Sequence, residues 1–84
     1  MKAVKTNELK VGDWAAHVMD LPNIKGIEVR QQGEVVEVSP TDMWGVASET
    51  HTTIVLKERG AKPWDTKMST VHNSHVWLVR TLGK

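Results

Sequence analysis

The sequence predicts an all-β domain, a single small barrel of about five or six strands. Short segments of alternating apolar and polar residues recur along the chain, and none keeps apolar residues at the helical period. A Gly-Asp turn feeds the strand that begins at Trp14, and a second strand opens on Gly33. Because glycine adopts backbone angles that other residues avoid, such turns suit small, strongly bent barrels.

Length and composition set the class of protein. The 84 residues suffice for one domain, 1–84, with a polar lead-in over about residues 1–8 that is compatible with a short edge pairing. The absence of cysteine excludes disulfides, thiolate metal sites and a cysteine nucleophile. No export signal or apolar run of membrane-spanning length is visible, so we expect a cytoplasmic protein without a membrane partner.

The first half of the chain divides into strands and turns by its alternation. Residues 14–19 are predicted as the first strand, and residues 20–26, with a proline and a glycine, as a loop. Residues 27–30 are predicted as the returning arm of a hairpin, and residues 33–39 as the second strand. A turn at 40–42 then precedes a third strand at 43–48.

The second half contains the clearest strand. Residues 52–58 are β-branched and alternating, and we expect Ile54 and Leu56 to face the core. The longest irregular stretch, residues 59–67, follows. The last two predicted strands are 68–72 and 76–81.

Three segments within residues 9–58 have a familiar pattern: Val11-Gly12-Asp13-Trp14, Gly33-Glu34-Val35-Val36-Glu37-Val38 and Trp44-Gly45-Val46. In these segments the chain resembles the SH3-like barrels of the KOW and Tudor kind. The resemblance implies binding of RNA, DNA, ribosomal or transcription partners, or of a modified peptide in an aromatic cage.

The chain also departs from those families. Asp20, Pro22 and Asn23 dilute the basic, glycine-containing KOW signature, and a Tudor cage would have to consist of tryptophan alone. The Val-Gln-Ile-Tyr motif of the barrel-shaped plasmid-encoded dihydrofolate reductases is absent, so that activity is not implied.

Tryptophan is the sole aromatic residue type apart from histidine. The chain has four Trp and no Phe or Tyr, so one or two must supply core volume. We expect Trp14 and Trp77, which lie in apolar strands, to be core or half-buried. Trp44 follows a turn, and its side chain is compatible with either position.

No catalytic or metal-binding constellation emerges from the spacing of residues. His72 and His75 lie close in sequence and His17 and His51 elsewhere, which does not make a four-ligand metal site. The carboxylates and serines show no acid–base pair or nucleophile context. We therefore expect no enzyme activity, no cofactor and no metal.

The candidate site is the basic stretch around Trp64. Its cations are Lys57, Arg59, Lys62 and Lys67, with Trp44 as a neighbour of the site. Cations beside an exposed ring suit nucleic acid, since charge follows phosphates and the ring stacks on a base. They equally suit an acidic protein surface. The alternative is a solvated loop whose Trp64 folds back as a plug of the barrel.

The sequence therefore predicts a non-enzymatic binding module that contacts nucleic acid or a nucleic-acid-handling protein. Because the formal net charge is only +1, such a role depends on a local patch. The alternative is a protein-interaction module, such as a small bacterial or phage regulator or inhibitor that docks on a host or partner protein. A third interpretation is a small enzyme whose site forms at an oligomer interface.

Overall fold

A computed structural model describes residues 2–20 and 27–81 of the chain. It has six antiparallel strands in one sheet, in the order β1-β6-β2-β3-β4-β5. The strands are β1 (Lys2–Lys5), β2 (Asp13–Asp20), β3 (Ile27–Ser39), β4 (His51–Lys57), β5 (Thr66–His72) and β6 (Val76–Thr81). The predicted all-β class is confirmed. The outer strands β1 and β5 do not pair with each other, so the described sheet is open and not a closed barrel.

The described residues contain one short 3-10 helix, Thr6–Glu8, and no α-helix. In this part of the chain no helix has the length and apolar character needed to cross a membrane.

Strand β3 is longer than the sequence pattern indicates. The predicted arm at 27–30 and the strand at 33–39 form one strand of 13 residues. Gly33 lies inside it, where a Cβ atom would come within 2.9 Å of the Lys57 carbonyl oxygen. Glycine is therefore required because β3 and β4 approach closely, not because the strand begins there. The predicted loop at 20–26 lies outside the described residues, apart from Asp20.

The predicted third strand at 43–48 is wrong. Its place is taken by a tight turn that forms a single isolated bridge between Thr41 and Ala47. One carboxylate oxygen of Asp42 accepts hydrogen bonds from the backbone N–H groups of Trp44 and Val46, at 2.9 and 3.0 Å. Because the side chain satisfies these donors, they do not pair with a neighbouring strand.

The predicted polar lead-in forms part of the fold. Strand β1 pairs with β6, and Thr6 after it is completely buried. The Thr6 hydroxyl accepts a hydrogen bond from Trp77 Nε1 at 2.9 Å and donates one to the His72 carbonyl at 3.0 Å. This threonine links the start of the chain to the end of β5, across the open side of the sheet.

The core lies on one face of the bent sheet. Ile54 and Leu56 are 0% and 2% exposed, which confirms their predicted inward direction. Trp77 is fully buried, as expected, and Trp14 is half-buried. The core consists of Val4, Leu9, Ala15, Val35, Ile54, Leu56, Val71, Trp77 and Val79.

Candidate functional site

The predicted site residues lie at two opposite ends of β4. Lys57 ends the strand, and the loop with Trp64 follows it, whereas Trp44 lies in the turn before His51. A seven-residue strand spans about 20 Å. The expectation that Trp44 adjoins the loop is therefore wrong. We call the Lys57 side the basic end and the His51 side the histidine end.

The loop at the basic end consists of two consecutive turns. The Ala61 N–H donates to the Glu58 carbonyl at 3.1 Å, and Gly60 between them has a φ of 79°. Glycine suits this position because side chains disfavour a positive φ. The first turn thus fixes the direction in which the chain leaves β4.

The second turn presents Trp64 to solvent. The Asp65 N–H donates to the Lys62 carbonyl at 2.9 Å, and Pro63 occupies the second position, where its fixed φ is favourable. Trp64 is 73% exposed. Of the two alternatives for this side chain, the barrel plug is therefore wrong and the exposed ring is correct.

The cations of the loop have different surroundings. The Lys62 ammonium lies 5.4 Å from the centre of the Trp64 ring, within cation–π range. Lys67 instead forms a 2.8 Å ion pair with Glu58, across the base of the loop. Both partners of this pair are well exposed, so it adds little stability but offsets the charge of Lys67.

Sequence reasoning missed two residues at this end, Trp14 and Arg80. The guanidinium carbons of Arg59 and Arg80 lie 5.9 and 5.7 Å from the centre of the Trp14 ring. These residues line an open groove of about 430 Å³, here called the Trp14 groove. Its lining residues are Trp14, Gln32, Glu58, Arg59 and Arg80. No sequence signal connects Trp14 with Arg80, because only the pairing of β2 with β6 makes them neighbours.

The strand register extends this group into a cross-strand row on the outer face of the sheet. Arg80 pairs with Trp14, Trp14 with Glu34, and Glu34 with Lys57. Directly paired residues project from the same face, and the core lies on the other. The row therefore places Arg80 on one side of the Trp14 ring, and Glu34 followed by Lys57 on the other.

At the histidine end, four side chains form a hydrogen-bonded chain. The Ser69 hydroxyl donates to Gln31 Oε1 at 2.8 Å. The Gln31 amide nitrogen then lies 3.2 Å from His17 Nδ1, and His17 Nε2 lies 2.9 Å from His75 Nδ1. Because the amide nitrogen can only donate, His17 carries its proton on Nε2 and donates it to His75. The chain is thus internally satisfied from end to end.

The buried member of this chain is His17. Its ring stacks on Trp77 with centroids 4.7 Å apart. Burial first, then electrostatic interaction with His75 and Arg30, lowers the pKa of His17 below its ordinary value of 6.5. The imidazole is therefore held in its neutral form, as the hydrogen-bonded chain requires.

The other two histidines lie at the same end. His51 and His72 are edge to face, with centroids 5.0 Å apart. Their Nδ1 atoms lie 2.8 Å from the hydroxyls of Thr50 and Ser74 respectively. In the described ranges, no three or more His, Cys, Asp or Glu side chains are arranged to hold a metal ion.

The turn at the histidine end presents apolar side chains. Met43, Trp44 and Val46 are 69%, 80% and 59% exposed. A small cavity of about 200 Å³ adjoins Met43 and Trp44. Its lining residues are Asp42, Met43, Trp44, His51 and Thr70.

Comparisons with family models, with curated proteins and with solved structures found no match for this chain.

Proposed function

We propose that this protein is a non-enzymatic binding module that contacts nucleic acid through its basic end. The observation that supports this most directly is the pairing of an exposed Trp64 with a cation, Lys62, on a turn whose backbone is already hydrogen-bonded. Because the backbone of this turn is already hydrogen-bonded, only the side chain of Trp64 has to lose conformational freedom when a base stacks on the ring.

The charge at the basic end supports the same partner. Lys57 and Arg80 lie beside the loop, and Arg59 and Lys62 lie within it. Basic side chains around a stacking ring are the usual arrangement for single-stranded nucleic acid, since every nucleotide brings both a charged phosphate and a base. The overall charge of +1 leaves the rest of the surface nearly balanced, so binding would be confined to this end.

The histidine end supports a non-enzymatic role. Both ring nitrogens of His17 are hydrogen-bonded within the protein, and its ring is buried against Trp77. The Ser69 hydroxyl donates to an amide oxygen and not to a base. Neither group is arranged as a nucleophile or as a general base open to substrate.

The two exposed tryptophans allow a matched test of the nucleic-acid proposal. Trp64→Ala should weaken binding of a labelled single-stranded oligonucleotide by roughly 1–3 kcal/mol, the usual contribution of base stacking. Trp44→Ala, at the other end, should leave it unchanged. Fluorescence anisotropy at two salt concentrations measures both, and affinity should fall steeply with salt. Absence of binding by the parent protein at low salt would refute the proposal.

The turn around Trp44 favours a second candidate function, docking on a partner protein. Exposed tryptophan and methionine on a rigid turn resemble the apolar anchors of protein interfaces. A pull-down from nuclease-treated lysate tests this function. Capture of a partner that resists salt, is lost with Trp44→Ala and is kept with Trp64→Ala would favour it over nucleic-acid binding.

A further inference from the structure

We infer that the ligand of the basic end is a single-stranded segment that stacks one base on Trp64 and lays neighbouring phosphates on Arg59 and Arg80, across the Trp14 groove. This inference rests on the proposed function, and it adds the class of nucleic acid and the path of its backbone.

The path follows from the cross-strand row. Arg80, Trp14, Glu34 and Lys57 lie on four adjacent strands of the outer face. Adjacent strands are about 4.8 Å apart, so the row crosses the sheet at right angles to the strands over about 14 Å. A backbone that leaves Trp64 beside the end of β4 and follows this row reaches Arg59 and then Arg80.

The two guanidinium groups are arranged for an anion. Both lie within 6 Å of the same Trp14 ring centre, and among the described residues neither forms an ion pair. Two like charges beside one ring repel each other, and a phosphate between or across them would relieve that repulsion. Arginine suits this ligand because its planar fork donates two parallel hydrogen bonds to phosphate oxygens.

Trp14 positions the arginines and does not itself receive a base. Its ring is half-buried and already has both guanidinium groups against it. Trp64 is 73% exposed, with one ammonium near its ring. Trp64 is thus the ring at this end that is open to a base, and that base must be unpaired to reach it.

The site ends at Arg80. This arginine also lines a second groove of about 390 Å³, where Lys2 and Lys10 face Glu8 and Asp13. The two carboxylates there offset the two lysines, so the groove does not attract a further phosphate. The segment bound is therefore short, and its phosphates meet about three cations.

The negative charge of Glu34 distinguishes this path from other binding modes, because its removal should tighten binding. Its carboxylate occupies the middle of the row, between Trp14 and Lys57, and repels a phosphate that follows this path. A ligand bound elsewhere, or a basic partner, would not respond to removal of this charge by binding more tightly.

The test measures anisotropy of a labelled oligothymidine with four variants. Arg80→Gln and Arg59→Gln should each weaken binding roughly three- to tenfold at low salt. The parent should show a log–log salt slope of about −2, and each variant should flatten it by about 0.7. Glu34→Gln should tighten binding about threefold. Arg30→Gln is the matched control: it removes an exposed arginine next to the histidine end and should change nothing.

Two further ligands show whether the site prefers single strands to duplexes and whether it prefers nucleic acid to free polyphosphate. The same oligothymidine annealed to its complement should bind more weakly than the single strand. Inorganic tripolyphosphate should compete weakly, and its competition should be insensitive to Trp64→Ala. Thermal melting of each variant should match that of the parent, because all the altered side chains are exposed or half-buried.

Each contrary result has a distinct meaning. If oligothymidine binds but Arg80→Gln behaves like Arg30→Gln, or Glu34→Gln weakens binding, the path is wrong while the proposed function stands. If the duplex binds as tightly as the single strand, the single-strand class is wrong. If tripolyphosphate binds more tightly than the oligonucleotide, the groove is a site for free polyphosphate. If neither binds, the proposed function fails with it.

Discussion

The two ends of the sheet each place polar groups around a tryptophan, yet they do so in opposite ways. At the histidine end, Trp77 is completely buried, its N–H is bonded to Thr6, and His17 stacks on its ring. At the basic end, Trp14 is half-buried and has two guanidinium groups against it. The polar groups around Trp77 are hydrogen-bonded to one another, whereas the guanidinium groups around Trp14 are exposed to solvent.

This difference separates groups that stabilise the fold from groups available to a ligand. A polar chain with a buried member is costly to break, because His17 would lose a hydrogen bond in a place with little access to water. Exposed cations without partners add little to stability and keep their capacity to bind an anion. We therefore expect substitutions at the histidine end to change stability and those at the basic end to change binding.

The strongest test of this comparison replaces a tryptophan with alanine at each of the two ends. Trp77→Ala should cost about 3–5 kcal/mol of unfolding free energy, since it leaves a cavity and removes the partner of Thr6. Trp64→Ala should leave the free energy of unfolding, measured with urea, within about 0.5 kcal/mol of the parent value. Equal losses for the two variants would contradict the division between the ends.

A smaller loss is expected at Gly33, where β3 and β4 leave no room for a Cβ atom. Gly33→Ala should destabilise the protein by roughly 1–3 kcal/mol, because its Cβ would meet the Lys57 carbonyl oxygen at 2.9 Å. Urea unfolding measures the loss, and Gly45→Ala is a useful contrast. Gly45 has open space around it but a φ of 77°, so its cost arises from backbone strain alone. A neutral Gly33→Ala would show that β3 and β4 can separate.

The hydrogen-bonded chain can be broken at its middle member. Gln31→Ala should cost about 1–2 kcal/mol, because it leaves Ser69 and His17 without their partner. The neighbouring Gln32→Ala, on an exposed side chain of the opposite face, is the control and should be neutral. If both variants unfold at the same urea concentration as the parent, the chain does not contribute to stability.

Acidification should weaken the histidine end. Burial and electrostatic interaction with His75 and Arg30 lower the pKa of His17, so below its ordinary value the unfolded chain binds more protons than the folded one. Stability should therefore fall as the pH drops below about 6.5 toward the lowered pKa of the folded protein.

Urea unfolding over this pH range measures the effect. His17→Gln should reduce the loss of stability on acidification. His51→Gln should not reduce it, since His51 lies at the same end but outside the hydrogen-bonded chain. A stability that rises on acidification through this range would contradict the neutral, buried state of His17.

The smallest expected effect is that of metal removal. Because the described residues hold no cluster of three ligands, a chelator should leave the thermal midpoint unchanged. A midpoint that falls with chelator and recovers with zinc would show that the four histidines rearrange around a metal ion.

Much of the fold follows from local pattern. The alternation in β4 predicted both the strand and the burial of Ile54 and Leu56. The predicted strand at 43–48 failed because one side chain, Asp42, satisfies the backbone donors that a strand would pair. Such competition between a side chain and a strand ladder depends on geometry that alternation does not encode.

The candidate site divides in the same manner. Residues adjacent in sequence, such as Lys62 and Trp64, were predicted together and lie together, since one turn contains both. Trp14 and Arg80 were missed, and Trp44 was placed at the wrong end. Their positions depend on which strands pair and in which register, which a single-residue shift would change.

The sequence by itself determined that this protein is all-β, that Trp14 and Trp77 lie in core or half-buried positions, and that a basic loop carries Trp64. Those properties depend on residues near one another in the chain, where alternation, turn chemistry and side-chain volume act directly. The tertiary structure decided that Trp64 is exposed, that Arg80 joins Arg59 over Trp14, and that the histidines collect at the opposite end. These depend on long-range pairing between strands, because only the register of the sheet brings such distant residues within contact.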